Sequence, residues 1–247
     1  GSENTLYSYN PLTGSSIPKL HLDGWGVSCM ADDDEGNLYV STYGKGLIVY
    51  HTDTGNAEQM SMYQIDAKKG GLCNDWIKAF LVDNRGLLWI ATSNGVCVMN
   101  TVDGNFRSLG WDMQLKDILC CSLAEYIDGS ILVGTESGIY RYDYVSAKMT
   151  RFTGIKELDN KSVYAMACMR NGDLWMSSAN GIWHYDHMRQ NLIRYVSGNG
   201  LDSRELIIGA VAMADDGRVT LGSVEGLVSF YPEDVTGAAV NKQEKIQ

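Results

Sequence analysis

Apolar residues along this chain come in short runs, not in helical stripes. Between residues 27 and 231 one order recurs five times. A nearly unbroken small and apolar run leads into a turn with glycine. A short run headed by a large residue follows, then a second turn with glycine, then a segment that alternates. Short runs without a period near 3.6, bounded by turn signals, predict strands, and an unbroken run predicts a strand packed on both faces. Val163 to Met169 reads as such an inner strand. Gly138-Ile-Tyr-Arg-Tyr-Asp143 and Gly181-Ile-Trp-His-Tyr-Asp186 alternate, as third strands with unequal faces do. Lys148-Met-Thr-Arg-Phe152 and Gln190-Asn-Leu-Ile-Arg-Tyr195 are more polar and read as fourth strands.

The turn glycines set the period. Gly36, Gly86, Gly129, Gly172 and Gly217 are 50, 43, 43 and 45 residues apart, and Gly46, Gly95, Gly138, Gly181 and Gly226 keep step with them. Asp128-Gly129, Asn171-Gly172 and Asp216-Gly217 are pairings that accept positive φ in a tight hairpin. A β unit in the forties is the signature of propeller blades. The fold class expected is therefore all-β, a β-propeller of four-stranded antiparallel blades, about five of them. Residues 1–236 form the propeller segment, with repeats near 27–63, 76–110, 118–153, 163–196 and 207–231, and 237–247 is a flexible tail. Residues 5–22 look like a half blade, a third and a fourth strand joined at Pro11 to Gly14. Either Ile17 to Leu22 completes the last blade as a clasp, or the chain is an open arc of a larger propeller whose edges pair with another copy.

The motif D-x-x-G-x-L-W-[IV]-[GAS]-T-x-x-G-[LIV] is fullest from Asp83-Asn-Arg-Gly86 through Leu88-Trp-Ile-Ala-Thr92 to Gly95-Val96. It resembles the two-component regulator propeller repeat, and the resemblance covers about residues 27 to 231. Departures occur where Gly129 precedes Ser-Ile-Leu and where Val219-Thr220 replaces aromatics. The resemblance implies a non-enzymatic segment of a periplasmic sensor domain in a bacterial hybrid two-component system. A histidine kinase module would lie elsewhere in the full-length protein. It also implies a carbohydrate fragment as ligand, self-association through propeller edges or faces, and membrane contact only through flanking segments.

Composition narrows the alternatives. Thirty acidic against 20 basic side chains give a net charge of −10 over 247 residues, without the basic stripe that phosphate binding requires, so nucleic acid is not expected as a direct partner. No run of about 18 apolar residues is present to form a membrane helix. The Gly1-Ser-Glu-Asn4 start lacks a basic stretch followed by an apolar one and reads as a piece cut from a longer chain. Six cysteines include no Cys-x-x-Cys pair, and Cys29, Cys120, Cys121 and Cys168 sit where small hydrophobes belong. Buried free thiols are expected, with Cys73 the exception to watch.

Catalytic residues, metal ligands and cofactors are not expected. His184 and His187, three apart at the end of a strand, point to opposite faces. A metal-dependent lyase is the rival reading for them. Asp32 to Glu35 and Asp215-Asp216 fall in the first hairpin, where turn formation explains acidic residues better than calcium does. Trp89 and Trp175 hold equivalent core positions, and Trp183 packs between blades. What remains is one rim, where the loops leading into inner strands meet the turns joining second and third strands. The candidate ligand-binding residues there are Trp25, Tyr43, Lys45, Asn74, Trp76, Trp111, Asp112, Arg204 and Glu205. Aromatic faces flanked by amides and charges suit sugar rings. Trp25 and Trp76 serve either that rim or as plugs between blades, and a scaffold for protein contacts is the second rival.

Overall fold

The protein is described by a computed structural model, which covers residues 5–22, 26–61, 71–107, 115–195 and 205–235. Among these residues twenty-one strands fall into six antiparallel sheets. The first holds β1 (Thr5–Asn10) and β2 (Ser15–His21), paired from Thr5↔His21 to Asn10↔Ser15. Blade 1 runs β3 (Val27–Asp32), β4 (Asn37–Thr42), β5 (Gly46–His51), β6 (Ala57–Met60). Blade 2 runs β7 (Ile77–Val82), β8 (Leu87–Thr92), β9 (Gly95–Asn100), β10 (Phe106–Arg107). Blade 3 is β11 (Cys120–Glu125), β12 (Ile131–Thr135), β13 (Gly138–Asp143), β14 (Lys148–Arg151), and blade 4 is β15 (Ala165–Cys168), β16 (Leu174–Ser178), β17 (Gly181–Asp186), β18 (Asn191–Tyr195). Blade 5 contributes three described strands, β19 (Leu206–Met213), β20 (Val219–Ser223) and β21 (Gly226–Phe230). Five sheets with strands paired in chain order are the blades of a β-propeller. Among the described residues β2 pairs with β1 in a sheet of two.

The repeat has a physical basis at two turns. In every first hairpin the glycine N–H donates to the carbonyl three residues back: Gly36 to Asp33, Gly86 to Asp83, Gly129 to Tyr126, Gly172 to Met169 and Gly217 to Ala214. These glycines have φ of 72 to 89°, and the second-turn glycines 81 to 139°, the left-handed region that a side chain strains.

The chain divides into two compact units, Gly1–Cys120 and Cys121–Gln247. Within each, alternate residues of a blade bury against the next sheet. In the first unit, Val40, Ile48 and Tyr50 pack on Leu6 and Leu22, while Tyr39, Leu47 and Val49 pack on Ile77, Leu88 and Ile90. In the second, Trp183 and Tyr185 meet Ala124 and Tyr126 of blade 3, while Trp175 and Ile182 meet Val219, Leu221 and Phe230 of blade 5. Trp89 and Trp175 are fully buried, and the Trp183 indole is buried with its Nε1–H donated to Ser178 Oγ at 2.9 Å.

One cysteine expectation is corrected. Cys73 and Cys97 form a disulfide, with Cα atoms 5.9 Å apart, joining the segment before β7 to β9. No spacing motif announces it, because the two meet only once the blade has folded. Cys29, Cys120, Cys121 and Cys168 are free. Burial pushes the Cys29 and Cys168 thiols up to about 11, which keeps them unreactive at neutral pH.

Candidate functional site

Backbone hydrogen bonds bring the two loop sets of the rim together in the first unit. The Gly46 N–H, at the turn between β4 and β5, donates to the Asp75 carbonyl in the segment leading into β7. Asn74 Oδ1 accepts the Trp76 N–H at 2.8 Å, and the Trp76 carbonyl accepts the Ser93 N–H from the next turn of its own blade. Trp76 is thereby held at the mouth of β7 with 48% of its surface exposed.

Its ring lies against Gly44. A Cβ there would come within 3.0 Å of the indole carbons, and the Gly44 φ of +72° disfavours one further. Tyr43 and Lys45 flank that glycine, both exposed, with the Tyr43 N–H on the Gly26 carbonyl. Tyr43 and Lys45 thus lie on the blade 1 turn that meets the Asn74 and Trp76 segment of blade 2. Lys78 approaches the same ring, with Nζ 5.7 Å from the Trp76 centroid. Sequence reading passed over Lys78 because it lies in an inner strand, but the register shifts between Ile77 and Ala79. A bulge re-aims a side chain in this way.

Glu205 belongs to the second unit, just before β19. Its carbonyl accepts the Val224 N–H, as the Trp76 carbonyl accepts that of Ser93, so the two hold equivalent places in their blades. Trp25, Trp111, Asp112 and Arg204 lie outside the described residues.

The other ends of the strands carry different chemistry. In blades 1 and 2 a hairpin carboxylate closes the turn: Asp33 Oδ1 accepts the Glu35 and Asn37 N–H groups, and Asp83 Oδ1 those of Arg85 and Leu87. The second oxygen takes the Tyr39 hydroxyl at 2.7 Å and the Trp89 indole N–H at 3.0 Å. Turn formation and an aromatic clamp thus account for these acids. Blades 4 and 5 place Met169 and Ala214 in that slot, and a cleft of about 580 Å³ lies there, lined by Asp173, His184, Asp215, Asp216 and Glu233 among others. The buried His184 ring stacks on Trp175 with centroids 4.5 Å apart, and its Nε2 is 3.1 Å from Asp173 Oδ2. His187 instead meets the Tyr126 hydroxyl at 2.7 Å. The two rings thus face different neighbours, and among the described residues no three His, Cys, Asp or Glu side chains converge to hold a metal ion.

Residues 71–94, which carry the fullest form of the motif and the site residues Asn74 and Trp76, match the model of the two component regulator propeller family. No curated protein matches the chain. Among solved structures it is similar to the extracellular domain of BT3049 from B. thetaiotaomicron, assigned to a hybrid two component system. There the identity is 18% and the TM-score 0.79, over 95% of this chain and 32% of that one. The extracellular domain of the B. thetaiotaomicron hybrid two component system BT4673 matches at 20% identity and a TM-score of 0.72, over 93% and 30%. The chain thus spans about a third of the length of each. XC5397 of Xanthomonas campestris, a gluconolactonase, matches at 12% identity and a TM-score of 0.64, over 92% and 78%. Identities this low speak for the fold, and the family match speaks for the repeat. This chain is a β-propeller in which residues 71–94 match the two component regulator propeller repeat.

Proposed function

We propose that this chain is a ligand-sensing propeller segment from the extracytoplasmic, periplasmic part of a hybrid two-component regulator, and that it recognises a carbohydrate fragment on the Tyr43, Lys45, Asn74 and Trp76 patch. The observation that carries the reading is Trp76, half-exposed and seated on a glycine that leaves its ring free to stack. A large aromatic held in the open by an Asx turn contributes little to the core, and sugar C–H faces pack on such rings while flanking amides and ammonium groups take the hydroxyls. A disulfide in blade 2 fits an oxidising compartment. Ligand binding would act on output by shifting subunit packing toward the arrangement that binds better. Transfer of the signal belongs to segments outside this chain. No covalent step is assigned to it.

A second reading has its own observation. Tyr7 and Tyr9 share one face of the β1 and β2 sheet and are exposed at 42 and 63%, a surface suited to protein contact or self-association. Calorimetry with a panel of neutral oligosaccharides separates the two. The sensor reading expects one class of sugar to bind and Trp76→Ala to weaken it at least about tenfold, the loss of one stacking contact. Silence from every sugar on a folded protein, with dimerisation lost on replacing Tyr9, would favour the scaffold.

A further inference from the structure

Two departures from the repeat meet between blades 3 and 4. In blades 1 and 2 the residue after the third strand is a threonine whose hydroxyl caps the first hairpin. Thr52 Oγ1 donates to the Gly36 carbonyl at 2.8 Å, and Thr101 Oγ1 to that of Gly86 at 3.0 Å. Blade 4 has His187 in that place. Its ring lies over Gly172, where a Cβ would stand 2.8 Å from it. The hairpin slot that Asp33 and Asp83 fill in blades 1 and 2 holds Tyr126 in blade 3. The two side chains turn to each other, and the Tyr126 hydroxyl lies 2.7 Å from His187 Nδ1.

Both line a cavity of about 330 Å³. Small-molecule sites begin at roughly 300 Å³, so the volume suits a ligand of one ring. Phe152 and Tyr185 continue the wall, and the series His187, Tyr126, Phe152, Tyr185 runs edge to face, with centroids 5.6 to 6.0 Å apart and planes at 76 to 84°. Tyr185 is 4% exposed, and among the described residues its hydroxyl has no hydrogen-bond partner. Buried hydroxyls are ordinarily paired. Gly154, also in the wall, keeps the space beside this one free, since a Cβ there would stand 3.0 Å from the hydroxyl oxygen.

The charged groups of the wall are already engaged. Asp128 accepts the Ser130 N–H and hydroxyl and the Arg141 guanidinium, and Arg151 donates to the Ser137 carbonyl at 2.9 Å. Burial, and after it the neighbouring Tyr185, pushes the Tyr126 phenol up to about 12, and burial raises that of Tyr185, so both keep their protons at neutral pH. Ring surface and neutral hydrogen-bonding groups remain for a guest, the Gln190 amide among them.

We propose that this cavity binds one uncharged cyclic polyol, no larger than a monosaccharide, with its C–H edges on the Tyr126 and Phe152 rings and a ring hydroxyl on the Tyr185 hydroxyl. The site shares no residue with the Trp76 segment and stands independently of the reading given to it.

The test is titration of the whole chain carrying Trp76→Ala, which removes the other aromatic contact, with glucose, galactose, mannose and myo-inositol. At least one should bind saturably and one to one. Tyr185→Phe, added to that background, carries the signature. It removes a hydroxyl without a partner and keeps the ring, so the thermal midpoint should stay level or rise while affinity falls about fivefold, the loss of one neutral hydrogen bond. Gly154→Ala places a methyl group against the same hydroxyl and should weaken binding at least about tenfold. Raising salt from about 20 to about 300 mM should leave affinity unchanged, because no ionic contact is made. The proposal is overturned if the folded protein binds none of the four, if Tyr185→Phe or Gly154→Ala leaves affinity as it was, if salt weakens binding severalfold, or if phenol binds more tightly than every polyol. Oligosaccharide binding is tested by losing Trp76 and the cavity is tested with Trp76 already gone, so either reading can fail alone.

Discussion

A carboxylate six residues ahead of an aromatic does two tasks in blades 1 and 2. One oxygen of Asp33 or Asp83 caps the hairpin N–H groups, and the other fixes the polar tip of Tyr39 or Trp89. The turn role was legible, since Asp is a turn former. The clamp was not, although the shared separation of six positions carries it. Blade 4 shows what happens without the acid: Met169 holds the slot, and the buried Trp175 Nε1 has no hydrogen-bond partner. Glycines of the two turns are not equally demanding either. A Cβ on Gly46 would stand 2.2 Å from the Met60 carbonyl oxygen, whereas one on Gly217 meets nothing within 4 Å. Both have positive φ. Gly217→Ala should therefore cost only the backbone strain, about 1–2 kcal/mol, and Gly46→Ala more than about 3 kcal/mol because backbone must move as well. Urea unfolding of the two variants measures the difference, and equal losses would refute the steric account.

Strands were more readable than the contacts between them. The alternating segments 138–143 and 181–186 are β13 and β17 to the residue, because a period of two between two glycines leaves one register open. The inner strand read from Val163 to Met169 is shorter, Ala165–Cys168, since at its start the Val163 N–H bonds out to the Thr135 carbonyl of blade 3. The candidate rim was legible as a set of loops through the repeat, but the packing of Trp76 on Gly44 depends on how blades 1 and 2 meet. The Cys73 to Cys97 link is of the same kind, made within a blade across 24 residues. It gives a count that can be checked. Unfolded without reductant the protein should expose four reactive thiols, and six after reduction. In the native state at pH 8, Cys29 and Cys168 should react slowly, because burial holds their thiols near 11. Six thiols before reduction would remove the disulfide and its support for an oxidising compartment.

Across the molecule, charge couples solubility and stability to pH in separable ways. The net charge of −10 keeps copies apart at neutral pH, and the pI near 4.8 sets where that repulsion vanishes. Solubility should therefore pass through a minimum near that pH while the fold is still intact. Stability follows the hairpin acids instead. Burial works to raise the Asp33 carboxyl, but hydrogen bonds from Asn37, Tyr39 and the Glu35 N–H overcome it and hold it below the usual carboxylate range. At Asp128 burial is likewise overcome, by the Ser130 hydroxyl and N–H and by the Arg141 guanidinium. A depressed folded-state value means that the stabilisation is fully present above the unfolded value of about 3.9 and is lost as pH falls below it toward the folded one. Thermal midpoints should hold level from pH 7 to about 5 and drop below about pH 4. In Asp33→Asn, where the amide keeps an acceptor oxygen but cannot titrate, the midpoint should start lower and fall less steeply. A decline already complete at the solubility minimum would assign acid sensitivity to net charge and overturn the role given to these hairpins.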